Sequence, residues 1–331
     1  MSKPKPNDPH PGVVTEYSYP ADPAEAALRL FLGWFGPHYA RSVAVSSANS
    51  DGATLTADVS VGRKWSLAVT VLNTLAADAN LEWEAARAAV EQRLDTEGRP
   101  VALWAPRGAR LPASEPGLSE LVLALSEANT IDGGRLEVRR PVKLYFRRAD
   151  TTGSVVTAVG GLAAHWAQFT NRVPGSFQLN SAELLRLPAS KEERDELAER
   201  IVLAAQQPDI DETHVIPAED VWTANELGAG QACVLGTPAP ENDEWSSSLR
   251  RNLRRLLKEA VPGLSRPADS RALVVLGAAT YADEEKLSWA LRGMDPTLYG
   301  GYDILAVIAD GLLKPILQPY RQTLPWDAPL G

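Results

Sequence analysis

Apolar positions recur at three- and four-residue spacing over the first well-patterned stretch of the chain. Leu28, Phe31, Leu32 and Phe35 form one stripe of an amphipathic helix. Asp22 is placed as its N-cap, Pro23 suits the first helical position, Glu25 stands where a capping-box acid belongs, and Gly36-Pro37 predicts its end. The period then falls to two. Ser42–Ser46 predicts a strand and Asn49-Ser50-Asp51-Gly52 a turn. Leu55, Ala57, Val59 and Val61 then share one strand face, with Thr54, Thr56, Asp58 and Ser60 on the other. After the turn Gly62-Arg63-Lys64, Trp65, Leu67, Val69 and Val71 alternate with Ser66, Ala68 and Thr70. A second helix is predicted from near Asn80 to Glu97, with Trp83, Ala86, Val90 and Leu94 on one side and Gly98 as its stop, and Val101–Ala105 reads as a short buried strand.

From Leu136 to Leu187 the chain is rich in Val, Tyr, Phe and Thr with glycine punctuation, which predicts β-hairpins. Ser190 and Glu193 open an acidic helix with capping-box spacing. Residues 207–245, rich in Pro, Asp and Glu, read as loops or a partly mobile connection. A basic amphipathic helix is predicted over about 247–260, with Leu249, Leu253, Leu256 and Leu257 on its buried side. Strands at Leu273–Gly277 and Ile304–Ile308, a helix over Asp283–Arg292, and a hairpin turn at Asp310-Gly311 into Leu312–Leu317 complete the chain. The fold class is α/β (α+β). The expected organisation is a disordered tail over 1–12, an N-terminal α-β-β-β-α-β module over 13–130, a β-rich module over 131–189, and a C-terminal α/β module over 190–331.

Composition narrows the class. A chain of 331 residues with 44% hydrophobic and 23% charged residues encloses a substantial core. Its apolar runs are too short to cross a bilayer, and the polar, Pro-rich start has no apolar segment of a secretion signal. One cysteine, Cys233, excludes a disulfide framework and a Cys-based zinc cluster. The expectation is a cytoplasmic protein without membrane attachment, and the Ala- and Arg-rich usage points to a bacterial genome.

The net charge of −9 argues against nonspecific adhesion to nucleic acid, but the distribution is uneven. Residues 135–148 carry six cations against one anion, residues 249–258 carry five cations and no anion, and residues 190–226 carry three cations against eleven anions. The basic stretches either grip a phosphate chain or pair with the acidic segment. Candidate phosphate contacts are Arg250, Arg251, Arg254, Arg255 and Lys258 on the predicted helix, and Arg139 and Arg147, which share a strand face with Tyr145. His165, Trp166, Phe169 and Arg172 lie in the densest cluster of versatile side chains. Such groups stack on a base and bond its edges, or else form a loop with the aromatics buried.

The helix, three strands, helix and strand over residues 22–105 are similar to the core of the PD-(D/E)XK restriction-endonuclease-like fold. In that family an acid on the second strand and an acid-x-lysine on the third hold a divalent cation, whose bound water attacks a phosphodiester. The resemblance places Asp58 at the second-strand acid and therefore as the candidate metal ligand. The two same-face positions of the third strand are Ala68 and Thr70, which supply neither an anionic oxygen nor an ammonium group. The resemblance thus implies a nuclease scaffold whose cation site is emptied. A rearranged site would draw on Asp51, Asp58 and Lys64.

Asp283, Glu284 and Glu285 read as first-turn acids of a helix. No Walker loop, nucleophile elbow, H-E-x-x-H or Cys/His zinc spacing occurs, and the G-x-G at Gly228–Gly230 lacks a third glycine. The reading is a non-catalytic nucleic-acid-associated or scaffold subunit of a prokaryotic intracellular assembly, with other protein subunits as partners, DNA or RNA as a candidate ligand, and no cofactor. Nine tryptophans add to this reading, since several would be exposed on partner surfaces if not all are core; the alternatives are a metal-dependent nuclease, with a divalent cation as cofactor, and a subunit devoted to protein interaction.

Overall fold

A computed structural model describes residues 20–75, 80–150, 154–159, 175–188, 190–207, 213–238, 249–260, 265–277, 291–319 and 324–327. They form an α/β protein with two mixed sheets. Sheet one has the order β1 (Val43–Ser50), β2 (Thr54–Val61), β3 (Trp65–Asn73), β11 (Ser270–Leu276), β12 (Ile304–Ala309), β13 (Leu312–Leu317). β1, β2 and β3 run antiparallel, β3, β11 and β12 parallel, and β13 antiparallel to β12. Sheet two has the order β10 (Cys233–Leu235), β4 (Val101–Trp104), β9 (His214–Glu226), β6 (Arg135–Asp150), β8 (Gly175–Asn180), β7 (Ser154–Val159), with β5 (Asn129–Thr130) beside β6. The four strands of the expected N-terminal module therefore divide between the sheets, β1–β3 in one and β4 in the other.

The two-residue alternation of β2 and β3 predicts one buried face, and Leu55, Ala57, Val59, Val61, Leu67, Val69 and Val71 are all buried. They pack against α1 (Pro23–Tyr39), whose Leu28, Phe31 and Phe35 are buried as the sequence stripe requires. Asp22 caps the helix by accepting from the Ala24 amide at 2.8 Å. The predicted stop at Gly36-Pro37 is not where α1 ends: the helix carries Pro37 inside it and ends at Tyr39, with Ala40 left-handed at φ 52°. Aromatic packing holds this extra turn. Tyr39 lies 4.7 Å from Phe35 and 6.3 Å from Trp326, between ring centroids.

Sheet two overturns the composition-based reading of residues 207–245. Instead of a loop, this segment contains the 13-residue β9, paired with β6 from Arg135–Asn225 to Phe146–His214. Alternation outweighs Pro and acid content here, because Ile216, Ala218 and Asp220 point inward while Pro217 and Glu219 stay exposed. The β-rich stretch forms strands as expected, but β7 and β8 run parallel, so they are no hairpin. α2 (Leu81–Thr96) begins where predicted, with Asn80 as its N-cap, and packs with α3 (Gly117–Ser126) on the β4 end of this sheet. α4 (Lys191–Ala205) covers the other end. α5 (Leu249–Ala260) lies on the second face of sheet one, with Leu253, Leu256 and Leu257 buried. The helix expected over Asp283–Arg292 falls mostly outside the described residues, and Arg292 itself lies in a turn.

The sheets are locked together at the β12–β13 turn. Asp310 (φ 51°) and Gly311 (φ 75°) form the predicted hairpin turn. Its tip enters sheet two. Arg186 Nη1 donates to Asp310 Oδ1 at 2.6 Å, Thr223 Oγ1 to the same oxygen at 2.7 Å, and Asn225 Nδ2 to the Gly311 carbonyl at 3.1 Å. A Cβ on Gly311 would sit 2.7 Å from Asn225 Oδ1, an atom already held by Trp104 Nε1 at 2.8 Å. Gly52, also at positive φ, faces open space. Gly311→Ala is therefore expected to lower unfolding free energy by about 3 kcal/mol and Gly52→Ala by about 1 kcal/mol, read from urea titrations.

Candidate functional site

The catalytic candidates are employed structurally. Asp58 Oδ1 accepts from Arg266 Nη2 at 2.5 Å and Oδ2 from Ser47 Oγ at 2.7 Å, tying β2 to β1 and to the segment leading into β11. Asp51 Oδ1 accepts the amides of Ala53 and Thr54 and shapes the β1–β2 turn, while Lys64 is exposed in the next turn. Ala68 and Thr70 are covered rather than open: both are buried, and α5 lies on this face. Burial pushes the Tyr302 hydroxyl up to about 12, and it donates to the Ala260 carbonyl at 2.6 Å. Among the described residues no three His, Cys, Asp or Glu side chains gather as metal ligands would.

The two basic stretches differ in fate. Arg139 pairs with Glu137 at 2.7 Å, Glu193 at 2.8 Å and Glu219 at 3.2 Å; Glu193 and Glu219 belong to the acidic segment. The Glu193 bond is the leading reason that the Arg139 guanidinium is held above its usual range. Arg140 lies over the Trp222 ring at 4.2 Å, whereas Arg147 is exposed and bonds Gln178. On α5, Arg254, Arg255 and Lys258 are exposed, and Arg255 pairs with the likewise exposed Glu259 at 2.6 Å. Arg250 and Arg251 lie in the first turn of α5, where only the backbone is described. His165, Trp166, Phe169 and Arg172 lie outside the described residues.

A concavity lies elsewhere. A cavity of about 530 Å³ opens at the carboxyl ends of β3 and β10, where ligand sites of α/β sheets concentrate. Its walls are Pro20–Pro23 before and at the start of α1, Ser50–Ala53 of the β1–β2 turn, Asn73 and Leu75, the α2 residues Trp83, Glu84 and Arg87, and Val234 and Gly236. Asn73 fixes the turn to the end of β3 by donating to the Gly52 carbonyl at 3.0 Å and accepting from the Leu75 amide at 3.0 Å. Gly236 is required by close packing, since a Cβ there would meet the Ala105 carbonyl oxygen at 3.0 Å and Trp83 at 3.3 Å.

Glu91 stands behind the cavity wall and is bonded to two of its residues. It is fully buried, and its oxygens accept from the Ala21 amide at 2.8 Å and the Val234 amide at 2.9 Å, both on cavity-lining residues. Burial pushes its carboxyl up to about 7, against the opposing pull of Arg87 and of the two amides. Arg87, itself 6% exposed, reaches Glu84 at 2.9 Å and approaches Glu91 at 3.8 Å. Cys233, beside Glu91, is buried, and its thiol is pushed up by that burial. No sequence motif marks Arg87 or Glu91. Their signal is positional: residues 83, 87, 90, 91 and 94 share one helical face, so both charges fall inside the apolar stripe.

No protein-family model, curated protein or solved structure matches the chain. Among the described residues no helix is long and apolar enough to cross a membrane.

The Glu91 carboxyl gives a signed pH dependence. Because its folded pKa lies above the ordinary 4.5, folding favours its protonated form. The stabilisation is complete below that ordinary value and is lost as pH rises through about 7. The whole loss amounts to about 3 kcal/mol, of which about 2 kcal/mol falls between roughly pH 5.5 and 8. Urea unfolding at those two pH values should show that difference in the wild type, and Glu91→Gln should abolish the Glu91 share of it. An unchanged pH difference in the variant would contradict the assignment.

Proposed function

We propose that this protein is a non-catalytic, nucleic-acid-associated scaffold subunit of a cytoplasmic bacterial assembly. The observation that carries the reading is α5: its Leu253, Leu256 and Leu257 are buried on sheet one while Arg254, Arg255 and Lys258 face solvent. Positions four apart on a helix stand about 6 Å apart along its axis, so Arg254 and Lys258 form a row able to follow a phosphate backbone. Arg147 and Tyr145 on the outer face of β6 offer a second exposed basic surface, whereas Arg139 is already neutralised by three carboxylates. On this reading the nuclease-like pattern of the first hundred residues is a scaffold, with Asp58 serving as a tether to Arg266. Partner proteins would meet β1. Among the described strands it is the outermost of its sheet, and Ala44–Ser50 are exposed along it, as strand addition by another protein requires.

Fluorescence anisotropy with labelled single- and double-stranded DNA and RNA tests this. Binding at low salt should weaken about tenfold or more in the charge reversal Arg254→Glu/Arg255→Glu/Lys258→Glu, and the salt slope should fall by about one for each phosphate no longer neutralised. Circular dichroism should show the variant folded. The absence of binding at low salt, or an unaffected variant, would remove nucleic acid from the reading. Cleavage with Mg²⁺ or Mn²⁺ that disappears in Asp58→Ala would replace it with the nuclease.

A further inference from the structure

The cavity beside α2 carries features that the scaffold reading does not use. Three carboxylates line it, from Asp22, Asp51 and Glu84, against one guanidinium, from Arg87. Asp22 spends Oδ1 on the Ala24 amide and Asp51 spends Oδ1 on the Ala53 and Thr54 amides. Among the described residues no hydrogen bond engages Oδ2 of either, so each carboxylate keeps an acceptor oxygen in hand. Arg87 is more than nine-tenths buried; its Nε faces the Glu91 carboxylate behind the wall at 3.8 Å and its Nη2 is held by Glu84 at 2.9 Å, while among the described residues no hydrogen bond engages Nη1. The guanidinium on the cavity wall thus keeps donor capacity for an acceptor placed in the cavity.

Two ligand classes fail on these features. Among the described residues the acids do not gather into a group able to hold a metal, so a single divalent cation is poorly served. A simple anion is opposed by the excess of two negative charges on the walls. Between the charges lie Pro23, Leu75, Trp83 and Val234, an apolar wall for a carbon skeleton.

We propose that this cavity binds a small organic cation with a carboxylate at one end, the chemistry of a cationic amino acid. Its amine or guanidinium groups pair with Asp22 and Asp51, its carboxylate takes the spare donors of Arg87, and its methylene chain lies along Trp83 and Leu75. A cavity of about 530 Å³ accommodates a molecule of that size with room for water. Gly52 leaves the turn side open, since a Cβ there would meet nothing within 4 Å.

Isothermal calorimetry and thermal unfolding of the full chain with L-arginine, its decarboxylated analogue agmatine, its uncharged analogue citrulline, and L-glutamate test the proposal. L-arginine should bind saturably and raise Tm in a concentration-dependent way. Agmatine and citrulline should each bind about tenfold more weakly, and glutamate should not compete. Asp22→Asn/Asp51→Asn removes the charges while keeping a good helix cap and an Asx turn, so the ligand-free Tm should hold while L-arginine binding falls about tenfold or more. Absence of any L-arginine heat or Tm shift, unchanged L-arginine affinity in the folded double variant, agmatine binding as tightly as L-arginine, or preferential binding of glutamate would each overturn it. None of these changes touches α5, so failure here leaves the nucleic-acid reading standing, and the reverse holds equally.

Discussion

Ala24, Ala27, Leu28, Phe31 and Phe35 of α1 are buried against both sheets at once. They join one continuous core with Leu55, Val69, Val274, Ile304, Ala306 and Ile308 of sheet one, and with Ala102, Trp104, Cys233 and Leu235 of sheet two. Burying each large side chain stabilises by about 1.5–3 kcal/mol, but such burial is non-directional and would tolerate sliding of the helix. Polar contacts remove that freedom. Glu91 holds the backbone at Ala21 and at Val234, while Arg41 Nη2 holds the Trp326 carbonyl at 2.7 Å near the other end. The cavity walls are therefore consequences of where α1 begins.

The charged residues divide by the same logic. Glu91, Asp220 and Asp310 are committed to backbone amides, an indole or an arginine at element junctions. Asp220 shows the balance clearly: burial raises its carboxyl, while the Arg186 and Leu185 amides and the Trp222 indole act against that rise. Exposed pairs such as Arg255 with Glu259 contribute about 0–1 kcal/mol and leave the cation free to turn to a stronger anion. Arg139 is different, because three carboxylates converge on it. A basic run in the sequence thus says little until its local partners are known.

Much of the fold was legible because period and punctuation agreed. Asp22, Asn80 and Ser190 cap helices as their types suggest, and the alternation of β2 assigns its buried face residue by residue, whereas on β3 the second face is buried as well. The failures have specific causes. Acid and proline content masked the two-residue period of β9, and tertiary aromatic contacts carried α1 past Gly36-Pro37. α3 starts after Pro116 with no side-chain cap, so only the helical spacing of Leu118, Leu121, Val122 and Leu125 announces it. The cavity was invisible to motif reading because its walls come from segments as far apart as Pro20 and Gly236, and only pairing between sheets brings them together.

β3 takes β11 as its parallel neighbour, and Ser66 bonds Asp269 across a separation of 203 residues. On the ribosome, the first three strands must wait for most of the polypeptide to emerge before their central edge is covered. Until then the nascent chain displays an unpaired, strongly apolar strand, the kind of surface that chaperones shield and that promotes aggregation. A prematurely terminated product would keep that edge bare, so quality control at translation matters more to this architecture than to one whose strands pair with near neighbours.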